Sequence, residues 1–257
     1  MIGFKNRRVL VTGASGGIGR ATAVEFATAG ARVAVHGFRN IEAAKQTAEL
    51  VRMSASVVHE PVVVTGDLSD PKTAHQVVDA AVQNLGGIDI LVNNAGDLIE
   101  RRALADMDIE FFDRVIGANV HSALFCTQAA AKVMIEAGEG GAIVNMGSLA
   151  AWNGGGPGSA AYSTAKGAVV SLTKALAKEL APKGIRVNCV SPGLIGQTDF
   201  HARFTKPEAF EAATKGIPLG KPGEPVEVAR VITFLASEAS SFLVGETIEI
   251  NGGMYLR

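Results

Sequence analysis

Tyr162 and Lys166 stand four residues apart in a stretch whose apolar residues recur at helical spacing, so a phenol and an ammonium share one helix face. A free Tyr titrates near ~10. To exchange a proton near neutral pH it must become about 3 units more acidic, roughly 4 kcal/mol. A lysine ammonium ~4 Å away supplies about that much at an effective dielectric near ~20. The pair has the makings of a general acid/base for an alcohol or carbonyl oxygen. Ser148 follows an apolar run, where its hydroxyl could bond the same oxygen; the alternative is a loop serine making a local turn. Asn119 lies within an otherwise apolar helical stretch. Its amide either holds a water near Lys166 or bonds a neighbouring carbonyl.

A second group of residues points to a nucleotide. The segment VLVTGASGGIGR passes from an apolar run straight into a helical pattern, with Gly13, Gly17 and Gly19 at the junction. Glycines there permit a tight turn and close backbone approach. The helix start then offers free N–H groups and a positive dipole end to a pyrophosphate. Thr12 and Ser15 add hydroxyls. No Gly-Lys-Ser/Thr ending follows, which disfavours an ATP-type loop. Dinucleotide folds often place an acid near the end of the second strand to bond the ribose. Residues 33–40 contain no Asp or Glu, and the nearest charge is Arg39, whose guanidinium suits a 2′-phosphate. NADP is therefore expected, with NAD as the alternative.

These groups need a scaffold that brings residues 13–19, 148 and 162–166 together. Seven short β-rich runs, at 8–12, 32–36, 61–65, 88–93, 142–146, 185–190 and 247–250, alternate with helical patterns such as 18–29, 71–85, 109–137 and 159–181. Alternation of that kind predicts a doubly wound α/β fold of Rossmann type, with a seven-stranded parallel sheet and helices on both faces. Its ligands bind at the carboxyl ends of the strands. No linker or repeat divides the chain, so residues 1–257 are expected to form one dinucleotide-binding domain. Residues 193–225, rich in Gly, Pro, Lys and Phe, read as an irregular substrate lid.

Composition removes other classes. A chain of 257 residues, 47% hydrophobic and 19% charged, can bury a core without disulfides or structural metal. The net charge of −1 implies no basic face, so neither nucleic acid nor an anionic membrane is an expected partner. Cys126 and Cys189 lie far apart in apolar runs and read as buried thiols. No metal site is expected, since the five histidines show no paired ligand spacing. The charged start, MIGFKNRR, lacks the apolar stretch of a signal peptide, and a cytoplasmic location is the default expectation.

In order and spacing, Thr12-Gly13-Ala14-Ser15-Gly16-Gly17-Ile18-Gly19, Asp67-Leu68, Asn93-Asn94-Ala95-Gly96, Asn119, Ser148, Tyr162-Ser163-Thr164-Ala165-Lys166, Asn188 and Pro192-Gly193 resemble the short-chain dehydrogenase/reductase family over nearly the whole chain. The resemblance extends to 3-oxoacyl-carrier-protein reductases and to sugar or polyol dehydrogenases. It implies Tyr162 as acid/base, Lys166 as the group that lowers its pKa and holds the nicotinamide ribose, Ser148 on the substrate oxygen, and Asn119 on a relay water. It implies cofactor contacts from Gly13, Ser15, Gly17, Ile18 and Gly19, from Asp67 and Leu68 at the adenine, from Asn93, Ala95 and Gly96 along the cleft, and from Pro192, Gly193 and Ile195 at the nicotinamide. It further implies a homotetramer packed through 109–137 and 159–181. Two positions depart from the pattern. Phe38 stands where NADP-linked relatives carry a basic residue, with Arg39 one place later. Gln197 stands where a Thr is usual, leaving Thr198 as the substitute cofactor contact.

The substrate is expected to be a small alcohol or carbonyl compound, bounded by 97–102, 149–158 and 193–215. Glu100, Arg101, Arg102, Gln197, Asp199, His201 and Arg203 give that rim its polarity. Trp152 is either a pocket wall or core. Two other classes share the fold: a nucleotide-binding sensor without turnover, and an epimerase or lyase that oxidises only transiently. Tyr162, Lys166 and Ser148 together argue for turnover.

Overall fold

Alternate side chains of each strand leave for opposite faces, and here both faces are dry. Val9, Val11, Val33, Val35, Ile90, Val92, Ala142 and Val144 enter one buried cluster. Leu10, Ala34, Leu91 and Ile143, the residues between them, enter another. A strand apolar on both sides must be covered twice, which is why these segments lack polar alternation.

The computed structural model describes residues 3–55 and 59–256, the side chain of His201 apart. Residues 1, 2, 56–58 and 257 of the expected domain lie outside it. The chain runs β1 (Arg8–Val11), α1 (Gly17–Thr28), β2 (Arg32–Gly37), α2 (Ile41–Ser54), β3 (Val62–Thr65), α3 (Pro71–Leu85), β4 (Ile90–Asn93), α4 (Ile109–Ile116), α5 (Ser122–Ala137), β5 (Gly141–Met146), α6 (Ala150–Asn153), α7 (Ala160–Leu180), β6 (Ile185–Pro192), α8 (Asp199–Phe204), α9 (Pro207–Lys215), α10 (Pro225–Ala236) and β7 (Thr247–Ile250). The strands form one sheet in the order β3-β2-β1-β4-β5-β6-β7, and every pairing is parallel. Helices α1, α2 and α10 cover the first face. Helices α3, α5 and α7 cover the second. Strand order reverses between β1 and β4, and a crevice opens at their carboxyl ends. No helix among the described residues is long and apolar enough to cross a membrane.

Two expectations change. The stretch 109–137 is not one regular helix: a five-residue π-helical segment, Gly117–His121, separates α4 from α5. The hydrophobic pattern continues through it, so periodicity alone does not reveal the extra residue. Asn119 sits in that segment, and π-bulges commonly mark functional positions. Residues 193–225 are not irregular either, since α8 and α9 lie within them. Both helices are short, and neither buries a strong apolar stripe that the sequence would announce.

Candidate active site

The first corner of the crevice is built almost entirely from backbone. Gly13 and Gly17 adopt left-handed conformations, with φ of 61° and 50°. At Gly19 a side chain would collide with the Gly13 carbonyl and the Asn94 amide, so glycine there lets α1 close against the loop. Asn94 donates to the Thr12 and Gly13 carbonyls at 2.8 and 2.9 Å. The Gly13 N–H donates to Nδ1 of buried His36 at 3.0 Å, while His36 Nε2 lies 3.0 Å from the Gly66 carbonyl. Because Nδ1 accepts, Nε2 carries the proton, and burial holds the imidazole below its ordinary pKa. His36 thus ties the loop to the end of β3. The uncapped amides at the start of α1 face a cleft of about 550 Å³, a cradle shaped for phosphate oxygens.

The same cleft holds Ser148, Tyr162 and Lys166. Ser148 follows β5, and its Oγ accepts from the Ala150 N–H at 3.1 Å. Its hydroxyl is near enough to the Tyr162 phenol to favour the ionised form of that phenol. Lys166 is buried, donates to the Met146 carbonyl at 2.9 Å and lies 5.5 Å from the centre of the Tyr162 ring. Behind it, Asn119 donates to the Asp97 and Val115 carbonyls, both at 2.8 Å. Its Oδ1 is buried without a partner among the described residues. Gly96 keeps this corner open, since a Cβ there would lie 2.6 Å from Asn119 Oδ1 and 3.0 Å from Lys166 Nζ.

Burial dominates the electrostatics of the pair: it pushes the Tyr162 phenol up to about 12, against a lowering by the Ser148 hydroxyl and a further rise from Asp97. Burial also pulls the Lys166 ammonium down to about 8. The ammonium is directed at a carbonyl rather than at the phenol oxygen, and both groups lose water. In this state Tyr162 is a neutral proton donor.

A glycine cradle at the β1–α1 turn and a Ser–Tyr–Lys group on the same crevice, joined along the whole chain, lead to relatives. A family model described as Enoyl-(Acyl carrier protein) reductase matches residues 13–255. The L-rhamnose 1-dehydrogenase (NAD(P)(+)) of Azotobacter vinelandii is 36% identical over 251 residues, covering 98% of this chain and 97% of the relative. The chain belongs to the short-chain dehydrogenase/reductase family. The glucose 1-dehydrogenase of Gluconobacter oxydans is 36% identical over 253 residues, 98% of this chain and 93% of the relative. The crystal structure of a short-chain type dehydrogenase/reductase from Mycobacterium marinum superposes with a TM-score of 0.87 at 37% identity, covering 99% of this chain and 97% of the other. The protein is thus an oxidoreductase of that family.

Contacts carried over from the short-chain dehydrogenase/reductase pattern distribute unevenly. Gly13, Ser15, Gly17, Ile18, Gly19, Gly96, Pro192, Gly193, Ile195 and Thr198 line the cleft. Thr198 reaches the glycine loop: its methyl lies 3.4 Å from where a Gly17 Cβ would stand. Ala95 backs the loop, its N–H donating to Thr12 Oγ1 at 3.0 Å. Asn93 does not line the cleft. It is buried beneath it, donating to Thr127 Oγ1 and Asn145 Oδ1, both at 2.9 Å. Two adjacent asparagines at a strand end face opposite ways, and the one that serves the loop, Asn94, was not among the expected contacts. Asp67 accepts from the Ser69 N–H at 3.0 Å as a turn residue, and Leu68 is buried in the second core. Arg39 is exposed and pairs at 3.8 Å with Asp97, which also meets Arg203 at 3.2 Å. Trp152 is no part of the cleft wall; its indole donates to Ser191 Oγ at 3.1 Å. The His201 side chain, expected on the rim, lies outside the described residues. His36 was passed over because a buried neutral histidine carries no spacing signal.

Proposed function

We propose that the protein interconverts an alcohol and a ketone with NADP(H), using Tyr162 as acid/base, Ser148 to orient the reacting oxygen, and Lys166 with Asn119 to manage the proton. The observation that carries this reading is that Ser148, Tyr162 and Lys166 line the same cleft as the Gly13–Gly19 cradle. Relatives named as L-rhamnose and glucose 1-dehydrogenases support hydride removal from a CH–OH carbon.

When bound, nicotinamide supplies or accepts the hydride, and its oxidised form adds positive charge. In the reducing direction a carbonyl oxygen takes hydrogen bonds from Tyr162 and Ser148, which fix its position and stabilise its growing charge. Tyr162, kept neutral by burial, has the proton to give. Lys166 has donor capacity beyond its bond to Met146. It shares the Gly96 corner with the unsatisfied Asn119 oxygen. A water bonded to both would return the proton. Arg39 is assigned to the 2′-phosphate, Asp67 and Leu68 to the adenine, and α8–α9 to a lid. Exposed Ile109 and Ile135, on α4 and α5, support the homotetramer, which sedimentation tests.

Absorbance of reduced nicotinamide, followed over a panel of alcohols and ketones, tests the reaction. Tyr162→Phe is expected to lower kcat by about 10²–10⁴-fold with cofactor affinity unchanged. A steady absorbance throughout, or a Phe variant with native turnover, overturns the reading. Arg39→Ala is expected to raise KM for NADPH about tenfold while sparing NADH. Equal effects on both remove Arg39 from the 2′-phosphate.

A further inference from the structure

We propose that the substrate carries a carboxylate and that Arg101 receives it, so that the reacting pair is a short hydroxy acid and its oxo acid. This rests on the alcohol–ketone reading and names the substrate class within it.

Arg101 lines the same cleft as Tyr162 and Ser148. Its neighbour Arg102 is neutralised by Glu100 at 2.8 Å and Asp108 at 2.7 Å. Arg101 is held only by neutral acceptors. Nε donates to the Phe204 carbonyl at 2.9 Å, and Nη1 to the Pro157 carbonyl at 3.0 Å and Ser159 Oγ at 2.8 Å. No carboxylate pairs with it among the described residues, and the hydrogens on Nη2 have no partner there. The guanidinium is fixed in place but its charge is left over. Planar guanidinium donors match a carboxylate better than any other small anion except phosphate.

The backbone is shaped around this residue. The Glu100 N–H bonds the Leu98 carbonyl at 2.8 Å across Ile99, whose φ is 67°. This is a γ-turn of the strained hand, at a β-branched residue that rarely adopts such a conformation. It directs the chain toward the 154–158 loop. There a Cβ on Gly156 would lie 3.1 Å from Arg101 Nη1, and one on Gly158 would lie 3.0 Å from the Arg101 Cβ. Among the described residues that line the cleft, the one acid is Asp199, which stands at the other end, 3.7 Å from where a Gly16 Cβ would be; Asp97, which acts on Tyr162, is paired with Arg39 and Arg203. Lys166 adds a second positive charge.

The distance sets the size of the acid. Arg101 bonds Ser159, which precedes Tyr162 by three residues at the start of α7. Side chains so spaced lie about 5–6 Å apart at Cβ. A carboxylate on Arg101 and a reacting carbon at Tyr162 then span a few bonds of one compact molecule. The reaction balances as before. In the reducing direction the oxo carbon takes the hydride that bound NADPH would supply, its oxygen takes the proton of neutral Tyr162, and the carboxylate is unchanged.

Matched pairs differing in charge test this: 3-hydroxybutyrate with its methyl ester, gluconate with glucitol, and galacturonate with galactose. For the pair that fits best, kcat/KM is expected to favour the acid by about 100-fold. Arg101→Met should bring the kcat/KM of the acid down to that of its neutral partner, and Arg101→Lys should restore part of the preference. Preference for the neutral members, or equal losses on both in Arg101→Met, overturns the proposal. Calorimetric titration of each acid into the NADP+-loaded protein separates the two readings. Arg101-dependent binding without turnover upholds the acid site and refutes the redox reading. Turnover of neutral members without acid binding does the reverse.

Discussion

The two ends of the cleft are built by different means. At the glycine loop the working surface is backbone: left-handed glycines, bare amides at the start of α1, and Asn94 and His36 locking the turn from below. At the substrate end it is made of side chains held by distant partners. Arg101 is gripped by residues more than fifty positions away, and Ile99 and Gln197 hold left-handed conformations without being glycine. Phosphates look alike in every dinucleotide, so one rigid cradle suffices. Substrates differ, and a surface that chooses among them needs side chains aimed by long-range contacts. The first end should therefore be intolerant of added atoms, and the second should carry removable strain.

Glycine-to-alanine exchange at each end breaks this contrast if the contrast is false. Gly19→Ala would drive a methyl into the Gly13 carbonyl and to 2.9 Å from Ala14 Cα, neither of which can swing aside. Overpacking of this kind costs about 1–3 kcal/mol, and the displaced loop should lose most of its cofactor affinity. Gly196→Ala, beside the substrate end, meets nothing nearer than 3.5 Å and should be nearly silent. Urea midpoints and NADPH titration read both. Similar losses at the two positions would show that the ends are equally rigid.

The same contrast explains what could be read from sequence. The Gly13–Gly19 cradle and the Tyr162–Lys166 pair were legible because their geometry is local: a turn conformation, a helix face. The strands were legible because two-sided burial leaves apolar runs, although β4 starts at Ile90 rather than 88 and β6 continues to Pro192. Nothing local distinguishes the side chain of Asn93 from that of Asn94; burial under the sheet end decides which of the two side chains serves the loop. The π-helical turn at Asn119 keeps the apolar pattern intact. Lys166 illustrates a different limit. Its spacing from Tyr162 was right, but where its ammonium points depends on Met146, twenty residues away.

His36 offers a test of the loop's lower support with a definite sign. Burial depresses its folded pKa below the ordinary value of 6.5. As pH falls through 6.5 the unfolded chain takes up a proton that the folded chain refuses, so this residue's contribution to stability is lost between its unfolded and its folded pKa. Protonation would also turn Nδ1 from acceptor to donor against the Gly13 N–H. Urea midpoints at pH 7, 6 and 5 should decline in the native protein and decline less in His36→Gln, where an amide can still accept and donate. NADPH affinity should follow the same curve. Parallel curves for the two proteins would assign the acid sensitivity elsewhere.

The smallest expected effect lies at the other end. Gln197 is exposed and has a φ of 56°. Just before it the chain is pinned, with Gly196 N–H on the Gly223 carbonyl at 2.8 Å and Gly223 N–H on the Leu194 carbonyl at 2.9 Å. Just after it Thr198 packs on Gly17. One left-handed residue thus turns the chain from a fixed bridge into α8 and onto the glycine loop. For a residue with a side chain that conformation costs about 1–2 kcal/mol. Glycine removes the cost but adds about 0.5–1 kcal/mol of unfolded-chain entropy. Gln197→Gly should therefore raise stability by up to about 1 kcal/mol, read as a higher urea midpoint. The freer hinge should loosen Thr198 and raise KM for the cofactor slightly while leaving kcat alone. A lower midpoint would mean that the turn is held by the glutamine side chain rather than imposed on it, and the substrate end would then store less strain than its backbone angles imply.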